Sequence, residues 1–180
     1  MATEGIRCFY CGRDAAAEVV HEVMDYPQGG RMRVPHTRWL RCESCGEGSV
    51  MNAQGVVYPS APAGRAVDGL PDEVVQAWRE ARTAHAVAAY TASEVMCRKI
   101  LMYVAVDKAN SKAGKSFESY VDDLNSAGLF AANVQAPVDK IRKRGNVANH
   151  RLPPSTEDDS LATLGITEHL LRGVYEIPTL

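Results

Sequence analysis

The chain has 180 residues, of which 46% are hydrophobic and 23% charged, and its formal net charge is -2. This composition excludes a disordered or low-complexity chain and leaves room for one domain of ordinary size, or one domain with a small module. The near-neutral charge excludes a molecule-wide basic field for nucleic acid, so any contact with phosphate needs a local patch.

Residues 1–60 hold four of the five cysteines, turn signals such as "YPQGGR" and "NAQG", and short alternating runs. "AEVVHEVM" (17–24), "HTRWLRC" (36–42) and "GVVYPS" (55–60) read as short strands. The Pro-, Gly- and Ala-rich stretch "SAPAGRAVDGLP" (60–71) contains a linker, placed at 61–70. From Pro71 onward the spacing becomes helical. Pro71 suits a first helical position, and Asp72 and Glu73 suit the positive end of the helix dipole. Val74, Val75, Trp78, Ala81, Ala88, Ala92, Val95, Met96, Ile100 and Tyr103 recur at helical intervals, which predicts helix over 72–108 with a break near His85. "NSKAGKS" is a loop. "FESYVDDLNSAG" (117–128) is a short helix closed by Gly128, and "NVQAPVDKIRKRGNVANH" (133–150) is a third, with Pro137 near its start. "LPPSTEDD" breaks it. Ser155 reads as the N-cap of a last helix that runs to about Tyr175, with Glu157, Asp158 and Asp159 in its first turn. The expected fold class is α+β: a small four-cysteine ribbon of β hairpins over 1–60, then an all-α bundle of four or five helices over 71–180. No run of about 18 apolar residues occurs and "MATEGIRCFYCG" lacks an apolar signal core, so a cytoplasmic protein without membrane contact is expected.

The cysteines form two pairs, Cys8-x2-Cys11 and Cys42-x2-Cys45, each followed by Gly: "CFYCGR" and "CESCGE". In a reducing compartment such pairs favour metal over disulfides. In a CxxC turn two thiolates converge on one metal, backbone amides point at the sulfurs, and the trailing Gly permits the tight turn. Two such turns about 30 residues apart complete a tetrahedral zinc set. Four thiolates leave no open position for water, so the expected zinc is structural rather than catalytic. A redox CxxC would call for a thioredoxin-like βαβ context, which the sequence lacks. Cys97, on the apolar side of the long helix, reads as a small buried hydrophobe. Arg31, Arg33, Arg38 and Arg41 lie in one arm with His36 and Trp39, a mixture that can follow phosphate and stack a base. Acids nevertheless outnumber bases in residues 1–70, eight to seven. A solvated hairpin or a protein contact is therefore the expected role of this arm.

The stretch "RKRGNVANHR" (142–151) has no apolar stripe and a helix-weakening Gly145. Asn146 and His150 are four apart and share a helix face, with Asn149 beside them and Arg144 able to reach the same edge. Lys140, Arg142, Lys143 and Arg151 make this the one dense basic run of the sequence. Asn and His can close a helix and complement its dipole, but the whole set exceeds what capping needs.

The Arg144-x5-His150 pattern resembles the signature of the HEPN superfamily. At greater length, over about residues 70–178, the chain resembles a family in that group, the domain of unknown function 4145. The resemblance rests on "LPDEVVQAWREA", on "YTASEVMCRKIL" with Arg98, on "FESYVDDLNSAG", and above all on "RKRGNVANH". It implies an all-α HEPN-like bundle behind a zinc ribbon, acting as a homodimer. It further implies metal-independent endoribonuclease chemistry. His150 would be the general acid or base at a ribose 2′-OH or leaving 5′-oxygen. Arg144 would stabilise the phosphorane-like charge, Asn146 would orient the His or the phosphate, and a 2′,3′-cyclic phosphate would result. Arg142, Lys143 and Arg151 would then contact the nucleic acid; Arg38 and Arg41 are the residues that would do so if the ribbon arm binds one. RNA, or a protein partner in a phage-defence or toxin-type conflict system, is the expected partner. Active members usually carry a polar residue directly after the Arg, where this chain has Gly145. The alternative expectation is a non-catalytic adaptor whose ribbon and helical dimer hold other proteins.

Overall fold

The computed structural model describes residues 2–25, 34–130, 138–139, 141–142 and 154–179. The chain is mixed α and β and divides into two compact units, Met1–Pro62 and Ala63–Leu180.

The first unit is one antiparallel sheet whose strands follow chain order: β1 (Thr3–Arg7), β2 (Asp14–Asp25), β3 (Val34–Cys42), β4 (Gly48–Asn52) and β5 (Val57–Tyr58). The alternation in β3 sets its faces. Leu40 and Cys42 are buried, while Trp39 and Arg41 point to solvent. Leu40 and Cys42 join Ile6, Cys8, Ala17 and Met51 in a small core. A register shift between Val19 and His21 marks an irregularity in the β2–β3 ladder. Asn52 closes the β4–β5 turn, its Oδ1 accepting from the amides of Gln54 and Val56. The sequence suggested three strands here. β1 and β4 escaped because "TEGIR" and "GSVMN" are short and carry Gly and polar residues; pairing with β2 and β3 is what makes them strands. The strand expected over 55–60 shrinks to Val57–Tyr58, since Gly55 sits in a turn at φ +80° and Pro59 has no N–H to donate.

The second unit contains α1 (Asp72–Ala86), α2 (Tyr90–Lys108), α3 (Phe117–Ser126) and α4 (Glu157–Leu171). A π-helical turn (Arg172–Glu176) and a 3-10 turn (Ile177–Thr179) follow α4. The last helix thus ends as an α-helix at Leu171, short of the expected Tyr175. The break expected near His85 falls at Val87–Ala89, where Ala88 takes φ +62°. Pro71 stands at the N-cap of α1 rather than inside it. Thr156, not Ser155, caps α4 by accepting from the Asp159 amide; the hydroxyl of Ser155 is instead engaged with α2. Residues 138–139 and 141–142 are helical, with Val138 and Ile141 buried. The rest of the helix expected over 133–150 lies outside the described residues.

The core of this unit joins α1, α2, α3 and α4 through Trp78, Leu101, Leu124, Leu164 and Leu170. The stretch expected as a linker belongs to this unit from Ala63. The indole of Trp78 donates to the Arg65 carbonyl at 3.0 Å, Arg82 donates to the carbonyls of Ala63 and Gly64, and Val67 is buried. No helix among the described residues is long and apolar enough to cross a membrane.

Candidate metal centre

The two CxxC turns repeat one backbone pattern. The Cys8 amide donates to the Arg13 carbonyl at 2.9 Å and the Gly12 amide donates back to the Cys8 carbonyl at 2.9 Å. In the second turn the Cys42 amide donates to Glu47 at 2.9 Å and the Gly46 amide to Cys42 at 2.8 Å. Gly12 and Gly46 have φ of +69° and +80°, the left-handed region that a side chain resists. One knuckle follows β1 and the other follows β3. β2 lies between these strands and pairs with both, with Ala17 opposite Cys42 and Asp14 opposite Arg7. The Glu43 amide also donates to the Ala16 carbonyl at 3.0 Å, fastening the second knuckle to β2.

The sulfurs of Cys8, Cys11, Cys42 and Cys45 all lie within 4.8 Å of one another. Cys8 Sγ is 3.7 Å from Cys45 Sγ and Cys11 Sγ is 4.0 Å from Cys42 Sγ. A zinc–sulfur bond of about 2.3 Å implies tetrahedral S···S edges of about 3.8 Å. The four residues therefore fit a tetrahedral cation with soft-ligand preference. Bound there, zinc would be held by all four thiolates, tying β1 to β3. Thiols so close titrate as a group. Burial works against the Cys42 thiolate, but the amides of Cys45 and Ser44 outweigh it and bring this thiol down to about 7. At Cys45 the Glu47 amide favours the thiolate, yet local desolvation of this otherwise exposed residue and the neighbouring thiols together push it up to about 12. Burial also raises the Cys8 thiol. A divalent cation offsets that mutual repulsion.

The arginines of the sheet are engaged. Arg38 lies 3.0 Å from Glu4 and 2.9 Å from Glu22, and Arg41 lies 2.7 Å from Glu18. His36 is exposed, its Nδ1 3.0 Å from Thr37 Oγ1. Trp39 is 51% exposed. Arg31 and Arg33 lie outside the described residues.

Arg144, Asn146 and His150, expected as catalytic, also lie outside the described residues, as do Lys140, Lys143 and Arg151. The described residues on either side of that motif are fixed to helices. Arg142 donates to Asp122 of α3 at 2.8 Å, with Asp139 at 3.7 Å and Glu118 at 3.8 Å. The Ser155 amide donates to Thr91 Oγ1 at 3.1 Å, and the Ser155 hydroxyl donates to Glu94 Oε2. The second oxygen of Glu94 accepts from Thr163 Oγ1 at 2.8 Å.

These contacts belong to a polar seam between α1, α2 and α4 that the sequence reading missed. His85 Nδ1 lies 2.9 Å from Ser160 Oγ, and burial lowers the His85 pKa. Ser93, Ser160, Thr163 and Thr167 are fully buried. The available signal was Ser160, Thr163 and Thr167 recurring at helical spacing on one face of α4, where an apolar stripe would be ordinary. Cys97 is fully buried in the same unit, and burial pushes its thiol up to about 12.

A family model described as Domain of unknown function (DUF4145) matches residues 79–180, more than half of the chain. The chain belongs to this family. The DUF4145 segment starts inside α1 at Arg79, takes in α2, α3 and α4, and includes Arg144, Asn146 and His150. The cysteine cluster stands N-terminal to it. No curated protein and no solved structure matches the chain.

Proposed function

We propose that the chain is a HEPN-like DUF4145 protein with a structural zinc ribbon, and that it acts as a dimerising adaptor for other proteins. The observation that carries this reading is the pairing of its cations. Arg38, Arg41 and Arg142, the described arginines expected at phosphate, each lie against carboxylates. A guanidinium already neutralised contributes little to the counterion release that drives nucleic-acid binding. Exposed apolar residues support the same reading. On α2, Val95, Val106 and Tyr103 remain 46%, 44% and 39% exposed although the opposite side of the helix is core. Light scattering at micromolar concentration should return about twice the chain mass of 19.6 kDa. A monomer at that concentration contradicts the reading.

A second reading is favoured by the spacing of Arg144, Asn146 and His150 inside the DUF4145 segment. On this reading the protein is a metal-independent ribonuclease or RNA-binding effector of a conflict system such as phage defence. His150 moves the proton at the 2′-OH or the leaving oxygen, Arg144 stabilises phosphorane charge, Asn146 orients one of them, and Lys143 and Arg151 hold phosphate. His150→Ala and Arg144→Ala should each lower RNA cleavage by on the order of 10²–10⁴ while the protein stays folded. EDTA should leave the rate unchanged as long as the ribbon stays loaded. Equal cleavage by wild type and His150→Ala ends the second reading and leaves the first.

A further inference from the structure

We propose that the four-cysteine cluster is also a reversible thiol switch, entered at Cys45 and closed by a Cys8–Cys45 disulfide. The inference rests on the zinc reading of the cluster and gives that site a regulation. Three observations carry it.

The sulfurs differ in their access to solvent. Cys8 and Cys42 are 3% and 1% exposed and form part of the sheet core, Cys11 is half-buried, and Cys45 is exposed. A solvent-borne oxidant therefore meets Cys45 first. The sulfur of Cys8, on the other knuckle, is 3.7 Å from that of Cys45, which is contact distance. Finally, each knuckle is closed by backbone-to-backbone hydrogen bonds, Gly12 to Cys8 and Gly46 to Cys42, beside the amides that point at the sulfurs. A Cys8–Cys45 bond links the same two knuckles that the metal links, so the sheet has a covalent tie when the metal leaves.

The oxidant is a hydroperoxide. Bound zinc keeps all four sulfurs deprotonated, so the Cys45 thiolate attacks one peroxide oxygen, the O–O bond breaks, and Cys45 becomes a sulfenic acid as hydroxide departs. The Cys8 thiolate then attacks the Cys45 sulfur. The S–S bond forms, the S–O bond breaks, and a second hydroxide leaves. Two thiolates lose two electrons, the peroxide gains them, and two protons complete two waters. With two of its four donors consumed, zinc passes to water, and Cys11 and Cys42 take up protons. A thiol reductant reverses the step by exchange, and zinc rebinds.

Trypsin separates the outcomes because of where the arginines fall. Cleavage after Arg7, Arg13, Arg41 and Arg65 places Cys8 and Cys11 on one peptide (8–13) and Cys42 and Cys45 on another (42–65). A disulfide between knuckles joins the two peptides into one mass; a disulfide within a knuckle leaves them apart, each two hydrogens lighter. The experiment treats the zinc-loaded full chain with hydrogen peroxide. Released zinc is followed with a chromogenic chelator, and alkylated, digested samples are read by mass spectrometry. The expected result is about one zinc released per chain, in step with the joined peptide. Fragmentation should place the bond at Cys8–Cys45, and Cys97 should stay reduced. Dithiothreitol with added zinc should restore the bound metal. Zinc retained in excess peroxide overturns the switch. So does zinc lost with disulfides inside the knuckles, or with sulfonic acids that dithiothreitol does not reverse. Protein that holds no zinc before peroxide is added fails the zinc reading itself, and the switch falls with it.

Discussion

In the unit Met1–Pro62 the buried core consists of Ile6, Ala17, Leu40 and Met51 together with two of the clustered cysteines, Cys8 and Cys42. In the unit Ala63–Leu180 the core reaches from Val67 to Tyr175 and includes Trp78, Leu101, Leu124, Leu164, Leu170 and Leu171. A sheet with one thinly covered face buries too little apolar surface to offset the entropy of ordering its residues. The helices bury enough. On the zinc reading the first unit is therefore conditional on what its sulfurs hold, while the second has an apolar core of its own.

The largest expected effect follows from that contrast. Cys42→Ser removes one donor from the tetrahedral set. Structural zinc contributes on the order of 10 kcal/mol of apparent binding energy, far more than the small sheet core supplies. Metal analysis should find the zinc lost, and circular dichroism should show loss of strand signal with the helical signal kept. Retention of both zinc and strand signal in that variant would show that the fourth sulfur is dispensable.

The converse perturbation is Leu170→Ala. Leu170 is fully buried in the helical core, and truncating such a leucine costs about 2–5 kcal/mol. The helical unit should melt earlier in denaturant while zinc content stays the same. A matching loss of zinc would show the two units to be energetically joined.

A smaller, pH-dependent effect separates the units again. Burial holds the His85 pKa below its ordinary 6.5, with nearby Glu157 acting in the opposite sense. The folded state thus favours neutral imidazole. The stability this provides is complete above the unfolded value and is lost as pH falls from there through the depressed folded value. Thermal melts of the helical unit should drop on acidification below about pH 6.5, and His85→Gln should flatten that part of the profile. An unchanged profile in His85→Gln would assign the acid sensitivity to other groups.

The smallest expected effect is at Ala88. Its φ of +62° places an alanine in the left-handed region, at a cost of roughly 1–2 kcal/mol that glycine avoids. Glycine loses more entropy on folding, by about 0.5–1 kcal/mol. Ala88→Gly should therefore stabilise the helical unit by up to about 1 kcal/mol in a denaturant titration. A loss of stability would mean that the Ala88 methyl contributes more packing than its backbone loses in strain.

The same contrast explains which elements are legible in the sequence. The cysteine pairs and their trailing glycines were legible because a CxxC knuckle is a local object, made by four consecutive residues and one positive φ. The helical spacing of α1 and α2 was legible for the same reason. β1 and β4 were not, since five-residue segments such as Thr3–Arg7 become strands only by pairing with the neighbouring strand, Thr3 with Glu18 and Arg7 with Asp14. The N-cap of α4 was misplaced by one residue because Ser155 and Thr156 are chemically alike. Only the fold shows Ser155 spending its hydroxyl on Glu94, 61 residues away. The pairing of Arg38 with Glu4 and Glu22, which decides what those cations can offer a ligand, likewise depends on strand register.

The most direct test of a metal-conditional ribbon beside a self-sufficient helical unit is amide hydrogen exchange, read by mass spectrometry before and after a strong zinc chelator. The account predicts that peptides from Thr3 to Tyr58 lose protection on chelation, while peptides from α1, α2 and α4 exchange as before. Equal loss of protection along the whole chain, or a sheet that keeps its protection without metal, would contradict it.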